Sequence, residues 1–325
     1  MSRAVARAHP NIAFIKYWGN VDDVLKLPTN SSLSMNLDSM YTETTVEWTT
    51  EQAEDSLILN NESASEDALR RVSRHLDMLR ARLKLTTRAR VTSYNNFPMG
   101  AGVASSASSF AALTVAAVKA AGADITEREL TTLARIGSGS ASRSIPTGFV
   151  EWHMGHDHES SYAESILPPD HWDLVDLVVV VSDQHKRTGS EAGHTTAKTS
   201  VLQASRVADA PRRLQICRRA LQTRDFDALA SVVELDSNLM HAVMMTSTPP
   251  LLYWEPTSLK VMKAVQTWRS EGLPVCYTLD AGPNVHCLCE FSVVDELVRR
   301  LQQNDGILDI KQAKVGTGAV VLQVE

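Results

Sequence analysis

Residues 107–121 have the composition of a helix but almost no polar face: alanine, valine, leucine and phenylalanine surround a single lysine, Lys119. A helix of that kind is stable only where other elements cover it on all sides, so the chain must build layers around it. Gly122 closes the segment as a C′ residue. A glycine-rich turn, Phe97 to Val103, leads into it from a strand around Arg90 to Tyr94. The 325 residues correspond to about two domains of ordinary size.

Other elements read by periodicity. Leu69, Val72, Leu76, Leu79 and Leu83 step by three and four, which predicts a helix over 66–83 with arginines on its outer face. Thr126 and Glu129 form a capping box that opens a helix running to about Arg135. Ile12 to Ile15, Thr42 to Thr49 and the valine run Leu174 to Val181 read as strands, the last apolar enough for a covered sheet. Segments 201–233 and 256–271 read as mainly helical, and Cys276 to Asp280, Val285 to Phe291 and Ala319 to Val324 as strands. Strands and helices mix without regular βαβ alternation, so the expected class is α+β in two lobes, with a boundary near 183–190.

Composition narrows the function. Hydrophobic residues at 43% and charged residues at 22% exclude a disordered chain, a collagen-like repeat and a disulfide scaffold. The net charge of −6 lacks the basic footprint of a general nucleic-acid binder, yet leaves room for a local basic pocket that takes a phosphorylated small molecule. Cys217, Cys276, Cys287 and Cys289 form no C-x-x-C pair and are expected to be reduced. The opening residues lack a signal peptide's apolar core, and no apolar run approaches about 18 residues, so a cytoplasmic protein is expected.

Four segments carry chemistry-bearing residues. In 98–109, Gly100, Gly102, Ala104, Ser105 and Ser106 precede the buried helix, whose N-terminus offers N–H groups to an anion; a plain cap gives the same pattern. Gly137 to Ser144 is a run of small residues with one arginine, Arg143, suited to a phosphate or carboxylate, or to a surface loop. Asp280 to Asn284 is good turn chemistry at a strand end. Lys16 follows an apolar strand and leads into Tyr17, Trp18, Gly19 and Asn20. His153, His156 and His158 lack helical ligand spacing and are read as an exposed loop.

In order along the chain, Asn11 to Gly19, Leu27 to Ser34, Asn95 to Pro98, Ala104 to Ala107, Gly137 to Ser144, Gly148 to Trp152, Asp236 to Asn238, His241 to Val243 and Asp280 to Asn284 resemble the mevalonate diphosphate decarboxylases. The resemblance spans nearly the whole chain. It implies a GHMP kinase-like fold, with an N-terminal nucleotide-binding lobe (1–185) and a C-terminal α/β sandwich lobe (186–325). It implies an enzyme using ATP and Mg2+ in mevalonate-pathway isoprenoid biosynthesis, and a homodimer. The reaction phosphorylates the C3 hydroxyl of a mevalonate phosphate; loss of that phosphate and of carbon dioxide then forms the alkene. By the same resemblance Asp280 faces the 3-hydroxyl as base or orienting acceptor, Lys16 sits beside it, and Arg143 holds the substrate carboxylate. Tyr17, Trp18, Gly19, Asn20, Ser138, Gly139, Ser140 and Glu191 belong to the substrate. Ser93 and Asn95 flank the adenine region; Gly100, Gly102, Ala104, Ser105 and Ser106 belong to the ATP phosphates, with Ser106 as magnesium ligand.

Two positions depart from the family. Members that use the diphosphate commonly carry lysine at the position of Asn20, and arginine or threonine in the segment that holds Glu191 here. A cation is lost and an anion gained at the end of the pocket expected to hold the distal phosphate, where repulsion between close, partly screened charges is about 1–4 kcal/mol. The expected substrate is therefore 5-phosphomevalonate, giving isopentenyl phosphate. The alternative is 5-diphosphomevalonate, with Lys186, Arg187 or His194 replacing the lost charge. A kinase without decarboxylation and a non-catalytic phosphometabolite-binding protein are the remaining readings.

Overall fold

The computed structural model describes residues 2–97, 105–182 and 189–325. A six-stranded sheet is assembled from β1 (Ser2–Ala8), β6 (Thr42–Thr49), β7 (Ser56–Leu59), β8 (Glu62–Ser63), β9 (Arg88–Asn95) and β16 (Val320–Val324), in the order β16-β1-β6-β9-β7-β8. Val46 and Trp48 on β6 and Ala89 and Val91 on β9 point inward in the alternation expected of half-buried strands. Over that face lie α1 (Glu66–Leu83), α2 (Ser105–Ala120) and α3 (Glu127–Gly137). The alanine-rich α2 is enclosed as its composition requires: Ala111, Ala112, Ala116, Ala117 and Ala120 are fully buried, and Trp48 Nε1 donates to Ala117 O at 2.9 Å. Small side chains let the helix sit close to the sheet, and a larger one there would overpack it by about 1–3 kcal/mol.

A second sheet, in the order β11-β10-β5-β2, joins β2 (Asn11–Ile15), β5 (Ser32–Asn36), β10 (Phe149–Trp152) and β11 (Ala163–Leu167). A third, in the order β13-β14-β12-β15, joins β12 (Leu174–Val180), β13 (Val275–Thr278), β14 (Val285–Glu290) and β15 (Asp309–Lys314). Between these two sheets run α5 (Gln203–Thr223) and α6 (Phe226–Met245), where Phe14, Leu33, Leu229, Val233, Val178 and Leu288 share one core. The other face of the third sheet is covered by α7 (Pro256–Ser270) and α8 (Val294–Gln302), through Val261, Val265, Leu297 and Leu301 against Val175, Leu177 and Val179. Covered on both faces, β12 accounts for its unbroken valine run. A short ribbon, β3 (Asn20–Asp22) with β4 (Leu27–Pro28), and the seven-residue α4 (Ser190–Thr196) stand near the front edge of β2.

The mixed α+β layering agrees with the sequence reading, with differences of detail. The helix expected to end near 233 continues to Met245. The strand expected to reach Asp280 stops at Thr278, leaving Asp280 in the turn. Thr126 accepts from Glu129 N, but the Glu129 carboxylate takes Arg82 instead of closing the capping box. The expected lobe boundary at 185/186 lies outside the described residues. Along the chain, β12 already belongs with the C-terminal strands, and β16 returns to pair with β1. All four cysteines are buried and free, and burial pushes their thiols up. Among the described residues no helix is long and apolar enough to cross a membrane.

Candidate active site

Lys16 is the first residue beyond β2, and its side chain is almost wholly buried. Its Nζ donates to Asp280 Oδ1 at 2.7 Å. Asp280 opens the turn between β13 and β14, pinned where Asn284 Oδ1 accepts from the Val181 N–H at 2.8 Å. About a quarter of the Asp280 side chain stays accessible (26%), so the carboxylate is held on one side and open on the other. Burial alone would raise its pKa; Lys16, His286 and Arg143 outweigh burial and leave it below the ordinary carboxylate value.

Arg143 lies in the short 3-10 turn Gly139–Ser144 and is 3% exposed. Its Nε donates to Asn11 Oδ1 at 3.2 Å and its Nη1 to Ser32 Oγ at 2.6 Å, which fixes the guanidinium plane. Burial pulls its pKa down to about 10, against the pull of Asp280 and Tyr17, so it stays charged at neutral pH. The three residues expected to do chemistry are thus brought together from β2, the 3-10 turn and the β13–β14 turn.

Beside them is a pocket whose walls include Tyr17, Asn20, Ser106, Ser138, Gly139, Ser140 and Glu191, all expected from the sequence. Hydroxyls line one side: Ser106 Oγ lies 3.2 Å from Ser138 Oγ, which is 3.3 Å from Ser140 Oγ. Gly139 is required there, because a Cβ would stand 2.5 Å from the Tyr17 ring. Tyr17 stacks on His194 with centroids 4.0 Å apart, and burial raises its phenol pKa. The Tyr17 hydroxyl donates to Asn20 Oδ1, and Asn20 Nδ2 donates to Asp23 at 2.9 Å. Glu191 accepts from Lys26 Nζ at 2.8 Å and lies 3.6 Å from Arg71. Lys26, Arg71 and Arg74 outweigh the effect of burial and hold its pKa low.

Several expectations change. Trp18 does not line this pocket; it packs at 2% exposure with Ala197, Met240 and Leu251. Gly19 serves backbone geometry: at φ +101° its N–H donates to His194 Nδ1, and a Cβ would strike Gln203. Ser93 and Asn95, expected to flank the adenine region, are buried on β9, where they bond Thr44 and Thr42. Burial, with the nearby charges of Lys26, Arg206 and Arg143, lowers the pKa of His194 to about 3. Ser105 opens α2, and its carbonyl accepts from Ser108 Oγ. Gly100, Gly102, Ala104, Lys186 and Arg187 lie outside the described residues. The expected His153, His156 and His158 loop is spent locally: His153 meets Glu164, and Arg135 takes the His158 ring and carbonyl.

Sequence reasoning missed Lys26 and Arg71 as pocket residues. Arg71 sits among arginines that read as a solvated helix face, and Lys26 lies in the β3–β4 turn; neither has a local signal pointing to a ligand.

The family model described as "Diphosphomevalonate decarboxylase-like N-terminal domain" matches residues 8–163, and the "Mevalonate 5-diphosphate decarboxylase C-terminal domain" model matches 176–318. A diphosphomevalonate decarboxylase of Candida albicans is 38% identical over 323 residues, covering 94% of this chain and 89% of that protein. The Homo sapiens diphosphomevalonate decarboxylase is 36% identical, covering 87% and 76%. Among solved structures, MDDEF in complex with MVAPP, AMPPCP and magnesium superposes with a TM-score of 0.94 at 37% identity, covering 99% of this chain and 100% of that one. The Staphylococcus aureus mevalonate diphosphate decarboxylase gives 0.94 at 37%, covering 99% of each.

Proposed function

The chain belongs to the mevalonate diphosphate decarboxylase family, and on that premise we propose that it is an ATP-dependent decarboxylase of C5-phosphorylated mevalonate whose preferred substrate is 5-phosphomevalonate. The observation that carries the reaction is the Lys16–Asp280 pair beside Arg143. Asp280, ionised and open on one side, accepts the hydrogen of the 3-hydroxyl while that oxygen takes the terminal phosphoryl group of ATP. Lys16 holds the carboxylate ionised and its charge beside the transferring group. The C3–O bond then breaks and the phosphate leaves with its electron pair. Carbon dioxide departs from the carboxylate, and the electrons of that C–C bond form the alkene. Arg143 holds the carboxylate through Nη2, the nitrogen left after Asn11 and Ser32 take the other two. Ser106 at the start of the sixteen-residue α2, and Ser138 at the end of α3 with its Oγ 3.2 Å away, offer hydroxyls at a site suited to polyphosphate.

Magnesium, when bound, would neutralise phosphate charge. Ser106, whose hydroxyl stands at the start of α2, is the protein ligand proposed for that ion.

Substrate length has support on both sides. The relatives are diphosphomevalonate decarboxylases and one solved complex holds MVAPP, which favours the diphosphate over the shorter ester. Lys26 and Arg71 are the cations that would receive it. In this pocket, however, Glu191 accepts from Lys26 and lies 3.6 Å from Arg71, and Asp23 adds a second carboxylate, so the two cations are offset at the distal end. That balance supports the monophosphate. The deciding experiment measures ATP-dependent release of ADP and carbon dioxide from the two esters side by side. Higher kcat/KM for 5-phosphomevalonate supports the proposal; higher kcat/KM for 5-diphosphomevalonate replaces it with the second reading.

A further inference from the structure

Two strands deliver the reacting pair, and both have left their ladders by the time they do so. Lys16 follows the last residue of β2 and Leu279 the last of β13, so neither N–H has its place in a sheet. A buried N–H without a partner is strongly disfavoured, and here one helix supplies both partners. The Lys16 N–H donates to Asp236 Oδ2 at 2.7 Å. The Leu279 N–H donates to Ser237 Oγ at 3.0 Å. Asp236 and Ser237 are neighbours on α6 and both are fully buried. Successive helical side chains diverge by about 100°, so two adjacent residues reach two different strand ends from one rigid body.

We propose that Asp236 and Ser237 are positioning residues that use α6 to hold the Lys16 and Asp280 backbones at the separation at which the two side chains meet. The proposal rests on Lys16 and Asp280 being the reacting pair. Asp236 is itself fixed, since Arg213 Nε donates to its Oδ1 at 2.8 Å from a fully buried position. The other side of the Lys16 residue is held as well: its carbonyl accepts from Arg206 Nη2 at 2.9 Å and from Asn30 Nδ2 at 3.1 Å. Arg206 also donates to Asn30 Oδ1, so α5, α6 and the segment before β5 close around one residue. Rotation of the Lys16 main chain would require breaking several buried, charge-assisted bonds at once. The side chain can therefore meet Asp280 without searching rotamers in a hydrated cleft.

The test uses the full chain, with kcat, KM, nucleotide affinity and thermal midpoint measured for Ser237→Ala, Ser237→Thr and Asp280→Asn, with both phosphate esters. Ser237→Ala is expected to lower kcat by about tenfold or more with each KM within about threefold, because misplacement acts on the reacting atoms more than on binding. Ser237→Thr, which keeps the hydroxyl, is expected to restore kcat to within about threefold of the parent. Should Ser237→Ala fail to fold, Ser237→Cys carries the same expectation, since the thiol fills the site but is a poor acceptor for the Leu279 N–H. Parent-like kcat in the alanine variant, or no rescue by threonine, overturns the positioning role while an inactive Asp280→Asn leaves the reacting pair standing. Turnover by Asp280→Asn removes the pair itself and the proposal with it.

Discussion

Replacing Asn20 by lysine tests the charge balance of the pocket directly. Asn20 lines the pocket wall with Asp23, Lys26, Arg71 and Glu191, bonded on one side to Tyr17 and on the other to Asp23. A lysine there would bring an ammonium to about 5 Å from an added distal phosphate; at an effective dielectric of about 40–80 for a half-open site, one extra negative charge gains about 1–2 kcal/mol. Asp23 will compete for that ammonium, which places the net effect toward the lower value. The expected outcome is a rise of about 5- to 20-fold in the ratio of kcat/KM for 5-diphosphomevalonate to that for 5-phosphomevalonate. The assay follows ADP release at low and at physiological salt, and salt should diminish the gain. A ratio within about twofold of the parent at low salt would show that position 20 does not face the distal phosphate, and the substrate-length argument would lose its basis.

Four further outcomes follow from the geometry. Asp280→Asn should abolish carbon dioxide release while nucleotide affinity survives; turnover near the parent level would remove Asp280 from the chemistry. The depressed pKa of Asp280 places the acid limb of kcat below the ordinary carboxylate range, and Lys16→Met should move that limb to higher pH because the strongest opposing charge is gone; an unmoved limb would refute the coupling. Gly139→Ala should push Tyr17 off His194, lower kcat/KM and destabilise the fold by about 1–3 kcal/mol, and unchanged kinetics would mean the stack is incidental. His75 and His241 are buried and neutral, with pKa values held to about 3 and 4 by burial. The unfolded chain takes up protons below about pH 6.5 while these two do not, so about 2 kcal/mol per histidine should be lost by pH 5; a flat unfolding free energy between pH 7 and 5 would contradict their burial.

Much of this was legible in the sequence where one residue type has one physical use. The alanine run of α2 could only be enclosed, and the valine run of β12 could only be covered on both faces. The resemblance placed Lys16, Arg143 and Asp280, and the fold brings all three together. What stayed illegible depended on partners distant in sequence. Trp18 reads as a candidate ligand contact until Leu251 and Met240 arrive to bury it. Glu191 reads as a bare anion until Lys26, 165 residues away, is seen to hold it. β15 escaped notice because Asp309 to Lys314, at a sheet edge, is mostly polar and leaves only Ala313 buried.

The return of β16 to β1 has a kinetic consequence. Val324 pairs with Ala4, and Lys16 waits for a partner 264 positions later in the chain. Closing such distant contacts is slow, because chain entropy must be surrendered before the contacts that offset it form. During synthesis the first sheet lacks its edge strand, and Lys16 its carboxylate partner, until nearly all of these residues have left the ribosome. Recovery of decarboxylation after dilution from denaturant should therefore lag behind recovery of helical signal, making catalysis itself a reporter of the last contacts to form.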